Sequence, residues 1–447
     1  MPERRFIDLA ELTAAQIADG TLLPGTRLPT HRAFAERHGV ALATATRAYR
    51  ELEKRGLVVG ERGRGVFVRD AGVPVTLGVE QAVSDGLIDL VFNMPGAATD
   101  ADMLRAALKR VAAAGDLEAM LRYQPHGGRP HERKILAAYA GERLGQIGPD
   151  RLLITSGGQH GLAMTVLGLL NPGDSIGTDP LTYAGFKAVA ALQRLTIVPV
   201  DGHRGVIDTD MLARRCRETN LRALYLMPTV QNPLGAVMDE ATRHRLVEIA
   251  RRHDVLLIED SAYAFLETDP PPALVELAPE RTVHVAGFSK SVATGLRVGY
   301  VIAPQRHIER LIHVVRATTW NTPALITALL SGWIEDGTVA RCEVARRRDG
   351  AERQSLCRGI LGDFEVLSHR NAGFAWLSRA GRSRVEPLVA RLRARGIAVS
   401  PSLPYAVTEP PPQAIRLAFG GVPKTELKQA LEIVRTELSS PSEDNHR

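Results

Sequence analysis

A lysine that directly follows an apolar stretch has the clearest potential for covalent chemistry in this sequence. Lys290 comes after the apolar run Val283–Ala286, next to Ser289, and Arg297 lies seven positions further on. A lysine that forms a Schiff base must be desolvated so that its amine is readily deprotonated. An arginine and a hydroxyl nearby suit a phosphate group. An isolated lysine is more often a solvated surface charge, so other residues must decide between these interpretations.

A carboxylate with similar placement supports the same chemistry. Asp260 follows the apolar run Val255–Ile258, and Tyr263 lies three positions later. A carboxylate buried at a strand end is costly unless it meets a cation. The protonated ring nitrogen of pyridoxal 5′-phosphate (PLP) would be such a cation, and this pairing keeps PLP an electron sink. A cap on the following helix is an equally good interpretation of Asp260.

Three further positions have both a functional and a plain structural interpretation. Asn232 could donate to a phenolate oxygen, although Asn-Pro is also a common turn. Gly158 and Gln159 open a predicted helix, where free backbone N–H groups can hold a phosphate. Tyr183 could stack on an aromatic ring or simply belong to the core. Each of these positions is weak evidence by itself.

The elements that would position these residues are short apolar strands alternating with charged helices. The pattern continues from Ile88 onward and is typical of an α/β fold with a mostly parallel sheet. In such sheets, ligands bind at the carboxyl ends of the strands, where the candidate residues fall. The clearest predicted strands and helix are Leu152–Thr155, Leu224–Met227, Val255–Ile258, Val283–Ala286 and the helix Glu240–His253.

The first 70 residues follow a different pattern. Thr30 is well placed as the N-cap of a helix over 32–38, Gly39 marks a tight turn, and a second helix runs from Val40 to about Arg55. Helix, glycine turn and helix form the helix-turn-helix pattern. Two short strands over 57–59 and 65–68 follow, and they predict a two-stranded wing.

Basic residues of this N-terminal segment could contact DNA phosphates. Arg32 and Arg47 lie on the two predicted helices, and Arg62 and Arg64 lie at the tip of the wing. The other interpretation is a small helical domain with a solvated basic face.

Composition excludes several classes of protein. The chain has 447 residues with a net charge of +6, which permits an anionic partner but does not prove one. Its three cysteines form no C-x-x-C pair, so we expect neither a disulfide framework nor a metal site. No apolar run is long enough to cross a membrane, and no signal peptide is recognisable. A cytoplasmic location is expected.

Residues 9 to 69 resemble the GntR-type winged helix. The matching stretches are Leu23–Pro29, Thr44–Leu52, Arg55–Leu57 and Gly63–Val68. The resemblance implies DNA binding, with Arg32, Thr44, Thr46, Arg47, Arg62 and Arg64 as contact residues. Where that family often has a polar triplet containing Arg at the start of the recognition helix, this chain has Ala41-Leu42-Ala43.

Residues 90 to 440 resemble the fold type I aminotransferases of class I and II. The order of the candidate residues and the spacings between Asp260 and Tyr263 and between Lys290 and Arg297 carry this resemblance. It implies PLP as the cofactor, with Lys290, Asp260 and Tyr183 as catalytic residues. Lys290 would form a Schiff base, Asp260 would pair with the pyridine nitrogen, and Tyr183 would stack on the ring. The other implied cofactor contacts are Asn232 and Tyr263 at the ring hydroxyl, and Gly158, Gln159, Ser289 and Arg297 at the phosphate, with Tyr123 reaching the phosphate of a neighbouring subunit.

The resemblance also implies a substrate site, and the chain differs from the family pattern at two positions. Arg416 matches the arginine that binds a substrate carboxylate, although a structural ion pair is another interpretation of this residue. Gly158 stands where that family often has Ser, and Gly287 stands where it has Ser or Thr. Two phosphate hydroxyls are therefore expected to be missing, which would weaken PLP binding.

Both halves together resemble the MocR-type regulators, a subfamily of the GntR group. The predicted domains are residues 1–70, a linker over 71–87, and residues 88–440 with a small α+β subdomain. The resemblance implies a head-to-tail homodimer that binds double-stranded DNA and responds to an amino compound or to PLP itself. The alternative is an active aminotransferase that carries a DNA-binding domain.

Overall fold

The computed structural model describes residues 2–18, 21–22, 25–54, 57–61, 65–68, 86–94, 101–114, 117–378 and 384–439. The wing residues Arg62 and Arg64 and positions 71–85 of the predicted linker lie outside these ranges.

A three-helix unit with a two-stranded ribbon forms the N-terminal part. Its elements are α1 (Pro2–Ala18), α2 (His31–His38), α3 (Leu42–Lys54), β1 (Val58–Glu61) and β2 (Gly65–Val68). Thr30 caps α2 by accepting a hydrogen bond from the Ala33 amide at 3.2 Å, and Gly39 ends it in the left-handed conformation. Tyr49 and Leu52 of α3 are fully buried in the core of this unit.

The helix-turn-helix prediction is confirmed, with shifted boundaries. Helix α3 begins at Leu42 rather than Val40, because the Val40 amide closes the preceding turn by donating to Ala35 at 3.0 Å. The helix α1 was not predicted at all. It packs against α3, so tertiary contact contributes to its formation.

The rest of the chain alternates helices and strands, as predicted. Up to the end of the long central segment, the elements are β3 (Ile88–Leu90), α4 (Ala101–Ala114), α5 (Leu117–Met120), α6 (Pro130–Leu144), β4 (Leu152–Thr155), α7 (Gly158–Leu169), β5 (Ser175–Thr178), α8 (Ala184–Leu192), β6 (Thr196–Pro199), β7 (Gly202–His203), β8 (Val206–Ile207), α9 (Thr209–Thr219), β9 (Ala223–Leu226), α10 (Glu240–Arg252), β10 (Leu256–Asp260), α11 (Leu274–Leu277), β11 (Thr282–Gly287), β12 (Gly299–Ile302), α12 (Gln305–Thr318), α13 (Ala324–Glu335) and α14 (Thr338–Leu361). The last elements are β13 (Val366–Leu367), β14 (Phe374–Ser378), α15 (Glu386–Ala394), β15 (Ile397–Pro401), β16 (Ala414–Ala418) and α16 (Lys424–Ser439).

Seven strands form the larger sheet, in the order β4-β12-β11-β10-β9-β5-β6. All neighbouring pairs are parallel except those of β12, which runs antiparallel to β11 and to β4. The prediction of a mostly parallel sheet is therefore confirmed. Because the parallel strands end at one edge, that edge is where a ligand site is expected.

A second sheet forms the small subdomain, in the order β13-β14-β16-β15-β3. Its first four strands pair antiparallel, whereas β3 joins β15 in parallel from a distant part of the chain. This pairing ties the segment that follows β3, residues 91–94, to the smaller sheet. The same segment then reaches the lysine on the larger sheet, as described below.

Candidate functional site

The Lys290 side chain lies where the larger sheet meets the segment after β3. Lys290 follows β11, and its Nζ donates to the backbone carbonyl of Asn93 at 2.8 Å. The same Nζ lies 6.0 Å from the centre of the Tyr263 ring. The lysine is half-buried, so its amine is partly withdrawn from solvent.

Asp260 is the last residue of the neighbouring strand β10 and is only 4% exposed. Its Oδ2 accepts from the Tyr225 hydroxyl at 2.8 Å, and its Oδ1 accepts from the Ala262 amide at 2.9 Å. Burial raises the pKa of this carboxyl, and these hydrogen bonds only partly oppose that effect. A cation held against Asp260 would favour the carboxylate and offset the cost of burying it.

An anion-binding corner lies at the start of α7. Gly157 precedes the helix with φ of 89°, and a side chain there would meet the Arg297 guanidinium, since a Cβ would lie 2.7 Å from Nη2. Arg297 Nη1 donates to Ser289 Oγ at 3.0 Å. A helix N-terminus, an exposed guanidinium and a hydroxyl therefore converge, and this combination suits a phosphate.

The two glycines that depart from the resemblance differ in their surroundings. A Cβ on Gly158 would meet no atom within 4 Å, so this position opens into free space. A Cβ on Gly287 would lie 3.0 Å from the backbone nitrogen of Gly158 and would crowd the first turn of α7. A hydroxyl-bearing residue fits without crowding only at position 158.

Arg416 extends from β16 of the small subdomain and is 4% exposed. Its Nη1 donates to the Val91 carbonyl at 3.3 Å and to the Tyr405 hydroxyl at 3.4 Å, and the guanidinium lies 4.7 Å from the centre of the Phe374 ring. Among the described residues, no carboxylate forms an ion pair with it. The ion-pair interpretation therefore has no support in the described part of the chain.

Several buried polar atoms around this site have no hydrogen-bond partner among the described residues. They include Gln159 Oε1, Asn232 Oδ1 and Arg416 Nε. A buried polar atom without a partner costs free energy comparable to a lost hydrogen bond. Gln159 Oε1 and Asn232 Oδ1 need a donor, whereas Arg416 Nε needs an acceptor. The corner at the start of α7 fits the phosphate of PLP, and the buried Asp260 carboxyl fits its protonated ring nitrogen.

Two tyrosines lie within the electrostatic field of the site. Burial raises the pKa of Tyr183, and the negative charge of Asp260 raises it further. Burial also disfavours the ionised form of Tyr263, but the positive charges of Lys290 and Arg416 lower its pKa below the ordinary value. The Tyr263 hydroxyl is therefore the stronger hydrogen-bond donor of the two.

Of the predicted cofactor residues, Tyr123 is set apart from the lysine. Its side chain is 86% exposed, and its ring packs 5.4 Å from that of Trp320. Leu121 is also highly exposed on the same loop. Such a surface suits contact with another protein chain.

Sequence reasoning missed several residues that complete the site. Tyr225 holds Asp260, Asn93 contacts both Lys290 and Tyr263, and Tyr405 contacts Arg416. Tyr225 left a weak signal, because it is a polar residue within the apolar run of β9. Asn93 and Tyr405 left none, since they are brought to the site only by tertiary packing.

Exposed arginines lie on both helices of the helix-turn-helix. Arg32 of α2 and Arg47 of α3 are exposed, as are Arg37 and Arg50, which sequence reasoning did not select. Thr44 and Thr46 are half-buried, and the Thr46 hydroxyl donates to the Leu42 carbonyl at 2.9 Å. The arginines are therefore freer than the threonines to contact an anionic partner.

At the start of α3, the departure from the GntR pattern leaves apolar side chains in solvent. Leu42 is 50% exposed, and Ala41 and Ala43 are exposed as well. The first turn of a recognition helix is the part that normally contacts base edges.

The described residues contain no helix that is long and apolar enough to cross a membrane, and no cluster of three metal-ligating side chains.

The fold and the site define a two-part protein, in which a winged helix-turn-helix precedes an aminotransferase-type domain. Residues 9–68 match the model of bacterial regulatory proteins of the gntR family, and residues 86–434 match aminotransferase class I and II. The chain belongs to the class I and II aminotransferase family in its larger part. As a whole it belongs to the MocR-type subfamily of GntR transcription regulators. This family membership implies PLP as the cofactor and DNA as a partner.

Relatives extend over both parts. An uncharacterized HTH-type transcriptional regulator of Bacillus subtilis, YdeF, is 30% identical over 96% of this chain and 93% of its own length. The probable rhizopine catabolism regulatory protein MocR of Rhizobium meliloti is 26% identical over 96% of this chain and 92% of its own.

A solved structure supports the fold of the larger part. The α-aminoadipate aminotransferase LysN of Thermus thermophilus, solved with N-(5′-phosphopyridoxyl)-L-leucine, superimposes with a TM-score of 0.74 at 22% identity. The match covers 80% of this chain and 95% of that one.

Asp179, which directly follows β5, should make stability depend on pH. It is buried, its Oδ1 has no partner among the described residues, and burial raises its pKa to about 8. From about pH 4 to about pH 8, the unfolded chain releases the Asp179 proton while the folded protein keeps it, so stability falls as pH rises. Asp179→Asn cannot titrate, and the cofactor-free variant should be more stable than wild type by about 1–3 kcal/mol at pH 8.

Thermal unfolding of the cofactor-free proteins at about pH 5 and pH 8 checks this expectation. The stability difference between Asp179→Asn and wild type should grow with pH. Asp201→Asn, at an exposed position, should show no such growth. A difference that stays constant between the two pH values would contradict the assignment to Asp179.

Proposed function

We propose that this protein is a PLP-responsive, DNA-binding transcription regulator whose aminotransferase-type domain senses an amino compound or PLP. The observation that carries the proposal is the combination of a buried Asp260 carboxyl with an anion-binding corner of Gly157, Ser289 and Arg297, in a chain that also has an exposed basic helix-turn-helix. A chain with only a metabolic role has no use for that module. Its site of action is the cytoplasm, where bacterial DNA lies.

The proposed cofactor site lies at the edge of the larger sheet where the parallel strands end, between Asp260 and the corner at the start of α7. Asp260 would hold the pyridine nitrogen, Asn232 and Tyr263 the ring hydroxyl, and Tyr183 the face of the ring. Gly158, Gln159, Ser289 and Arg297 would hold the phosphate. When bound through Lys290, PLP would supply two things: an electrophilic carbon that reacts with amines, and a ring that acts as an electron sink. The pKa directions of Asp260 and Tyr263 support these roles, because one would gain a cation and the other would face an anion.

The proposed effector is an amine that also carries a carboxylate. Arg416 supports this, because its guanidinium is buried and acts together with Lys290 on Tyr263. Among the described residues it forms no ion pair, and its Nε has no hydrogen-bond partner. A guanidinium can pair with a carboxylate through two parallel hydrogen bonds, a geometry that lysine cannot reproduce. The competing possibility within the proposal is that PLP itself is the signal.

The proposed assembly is a head-to-tail homodimer with shared cofactor sites. The exposed loop that carries Leu121 and Tyr123, next to Trp320, supports it. In a dimer, Tyr123 would leave solvent and reach the phosphate of the partner subunit. The twofold symmetry of a dimer would also present two recognition helices to a palindromic DNA site.

The first test concerns Lys290. After addition of PLP and dialysis, the wild-type protein should keep a visible absorption band, whereas Lys290→Ala should lose it because the variant lacks the amine proposed to bind PLP covalently. Lys134→Ala, which changes an exposed lysine of α6, should keep the band. A colourless wild-type protein would remove PLP from the proposal.

The second test concerns Arg416. Amino acids added to the PLP-loaded protein should change its spectrum, and Arg416→Lys should weaken their apparent binding by about 1.5–3 kcal/mol while leaving the initial spectrum intact. Arg395→Lys is a matched control, because Arg395 pairs with Glu437 at 2.9 Å on the surface of the same subdomain. An unchanged titration in Arg416→Lys would favour PLP as the signal. Release of a keto acid product would favour the alternative of an active aminotransferase.

The third test concerns DNA. A duplex from the protein's own promoter region should be retarded at low salt, and Arg47→Ala should weaken binding several-fold and reduce the salt dependence by about one counterion. Arg348→Ala is the control, since Arg348 is an exposed arginine of α14 in the other domain. Adding PLP or an amino acid should change the wild-type affinity if the domain regulates binding. A wild-type protein that does not retard the duplex would contradict the DNA-binding role.

A further inference from the structure

Asn93 contacts the two groups on which the proposed cofactor chemistry depends. Its backbone carbonyl accepts from Lys290 Nζ at 2.8 Å, and its side-chain Nδ2 donates to the Tyr263 hydroxyl at 3.3 Å. Two residues before it in the same segment, the Val91 carbonyl accepts from Arg416 Nη1 at 3.3 Å. The segment after β3 therefore bridges the lysine of the larger sheet and the arginine of the smaller one.

Two glycines make room for the Asn93 side chain. A Cβ on Gly373 would lie 2.7 Å from Asn93 Oδ1, and a Cβ on Gly420 would lie 2.6 Å from the same atom. Neither glycine has a positive φ, so backbone conformation does not require glycine at either position. Gly420 also lies against the carbonyl of Met94, and Gly373 against Gly420 itself. The space that these glycines leave is filled by the Asn93 amide, which fixes its orientation toward Tyr263.

We propose that Asn93 is a positioning residue of the cofactor site: its amide orients the Tyr263 hydroxyl toward the cofactor's ring oxygen, and its carbonyl holds the Lys290 amine. The inference rests on the proposed binding of PLP. Because Asn93 Nδ2 donates to the phenol oxygen, the Tyr263 hydroxyl proton is not used in this contact and can be donated to the cofactor's ring oxygen. A phenol that accepts one hydrogen bond is also a stronger donor in the next.

The electrostatics of Tyr263 agree with this role. The charged or titratable groups that act on it are Lys290, Arg416, Asp260 and Tyr183. Burial raises the pKa of Tyr263, but the charges of Lys290 and Arg416 and the hydrogen bond from Asn93 lower it overall. A stronger donor at Tyr263 stabilises negative charge on the ring oxygen, so the lysine-bound cofactor holds its proton less tightly.

The test is a pH titration of the visible band of the PLP-loaded protein, whose shape reports the protonation of the lysine-bound cofactor. Asn93→Ala removes the donor to Tyr263, so the proton is held more tightly and the midpoint should rise by about 0.3–1 pH unit, the worth of one hydrogen bond. Asn93→Asp keeps the size of the side chain and replaces the donor with an acceptor. Its midpoint should rise at least as far, which covers the case in which Asn93→Ala does not fold.

A double-mutant cycle separates positioning through Tyr263 from a general effect on folding. In a Tyr263→Phe background, Asn93→Ala should add no further shift, because the group on which it acts is gone. Met94→Ala, which changes the exposed neighbour in the same segment, should leave the midpoint unchanged. An equal shift with and without the Tyr263 hydroxyl would overturn the proposal.

The outcome for wild type distinguishes this inference from the proposed function. A coloured wild-type protein whose midpoint does not move in Asn93→Ala or in Asn93→Asp would overturn the role of Asn93 and leave PLP binding intact. A wild-type protein that never acquires the visible band would overturn both.

Discussion

The cost of burying a carboxylate at the end of a strand governs the arrangement of this site. Asp260 is almost completely buried, and among the described residues its oxygens accept from two donors, the Tyr225 hydroxyl and the Ala262 amide. Tyr225 is itself held by a stacked contact with Phe186, with the ring centres 3.8 Å apart, and both rings are fully buried. Those contacts fix the carboxyl in place without satisfying it. Burial raises the pKa of the Asp260 carboxyl, and a cation held against it would favour the carboxylate.

The corner at the start of α7, at the other end of the site, favours an anion rather than a cation. The free N-terminus of α7, Arg297 and Ser289 form a corner of positive potential that calls for an anion. A ligand that satisfies both ends must carry a cationic group at one end and a phosphate-like group at the other. The two ends thus define the orientation of the ligand before any catalytic step is considered, and they agree with the cofactor that the family implies.

The two residues proposed to contact the effector lie on different sheets. Lys290 follows a strand of the larger sheet, whereas Arg416 lies on a strand of the smaller one. The segment after β3 links them, because it pairs with β15 and lends carbonyls to both side chains. A ligand that touches both residues would join the two sheets.

The sequence by itself determined the order of the parts and most of the chemistry-bearing residues. Local signals were strong where a residue's role follows from its neighbours in the chain: Thr30 before a helix, Gly39 in a left-handed turn, and Asp260 and Lys290 after apolar strands. Tertiary structure alone decided which residues from distant segments meet. Asn93 reaches Lys290 across 197 positions and Tyr263 across 170, and Tyr225 reaches Asp260 across 35, through strand pairing that no local pattern encodes. Tertiary structure also decided the electrostatic environment of each side chain, because that environment depends on all the groups packed around it. The pKa of Tyr183 is raised and that of Tyr263 is lowered, although burial acts in the same direction on both tyrosines.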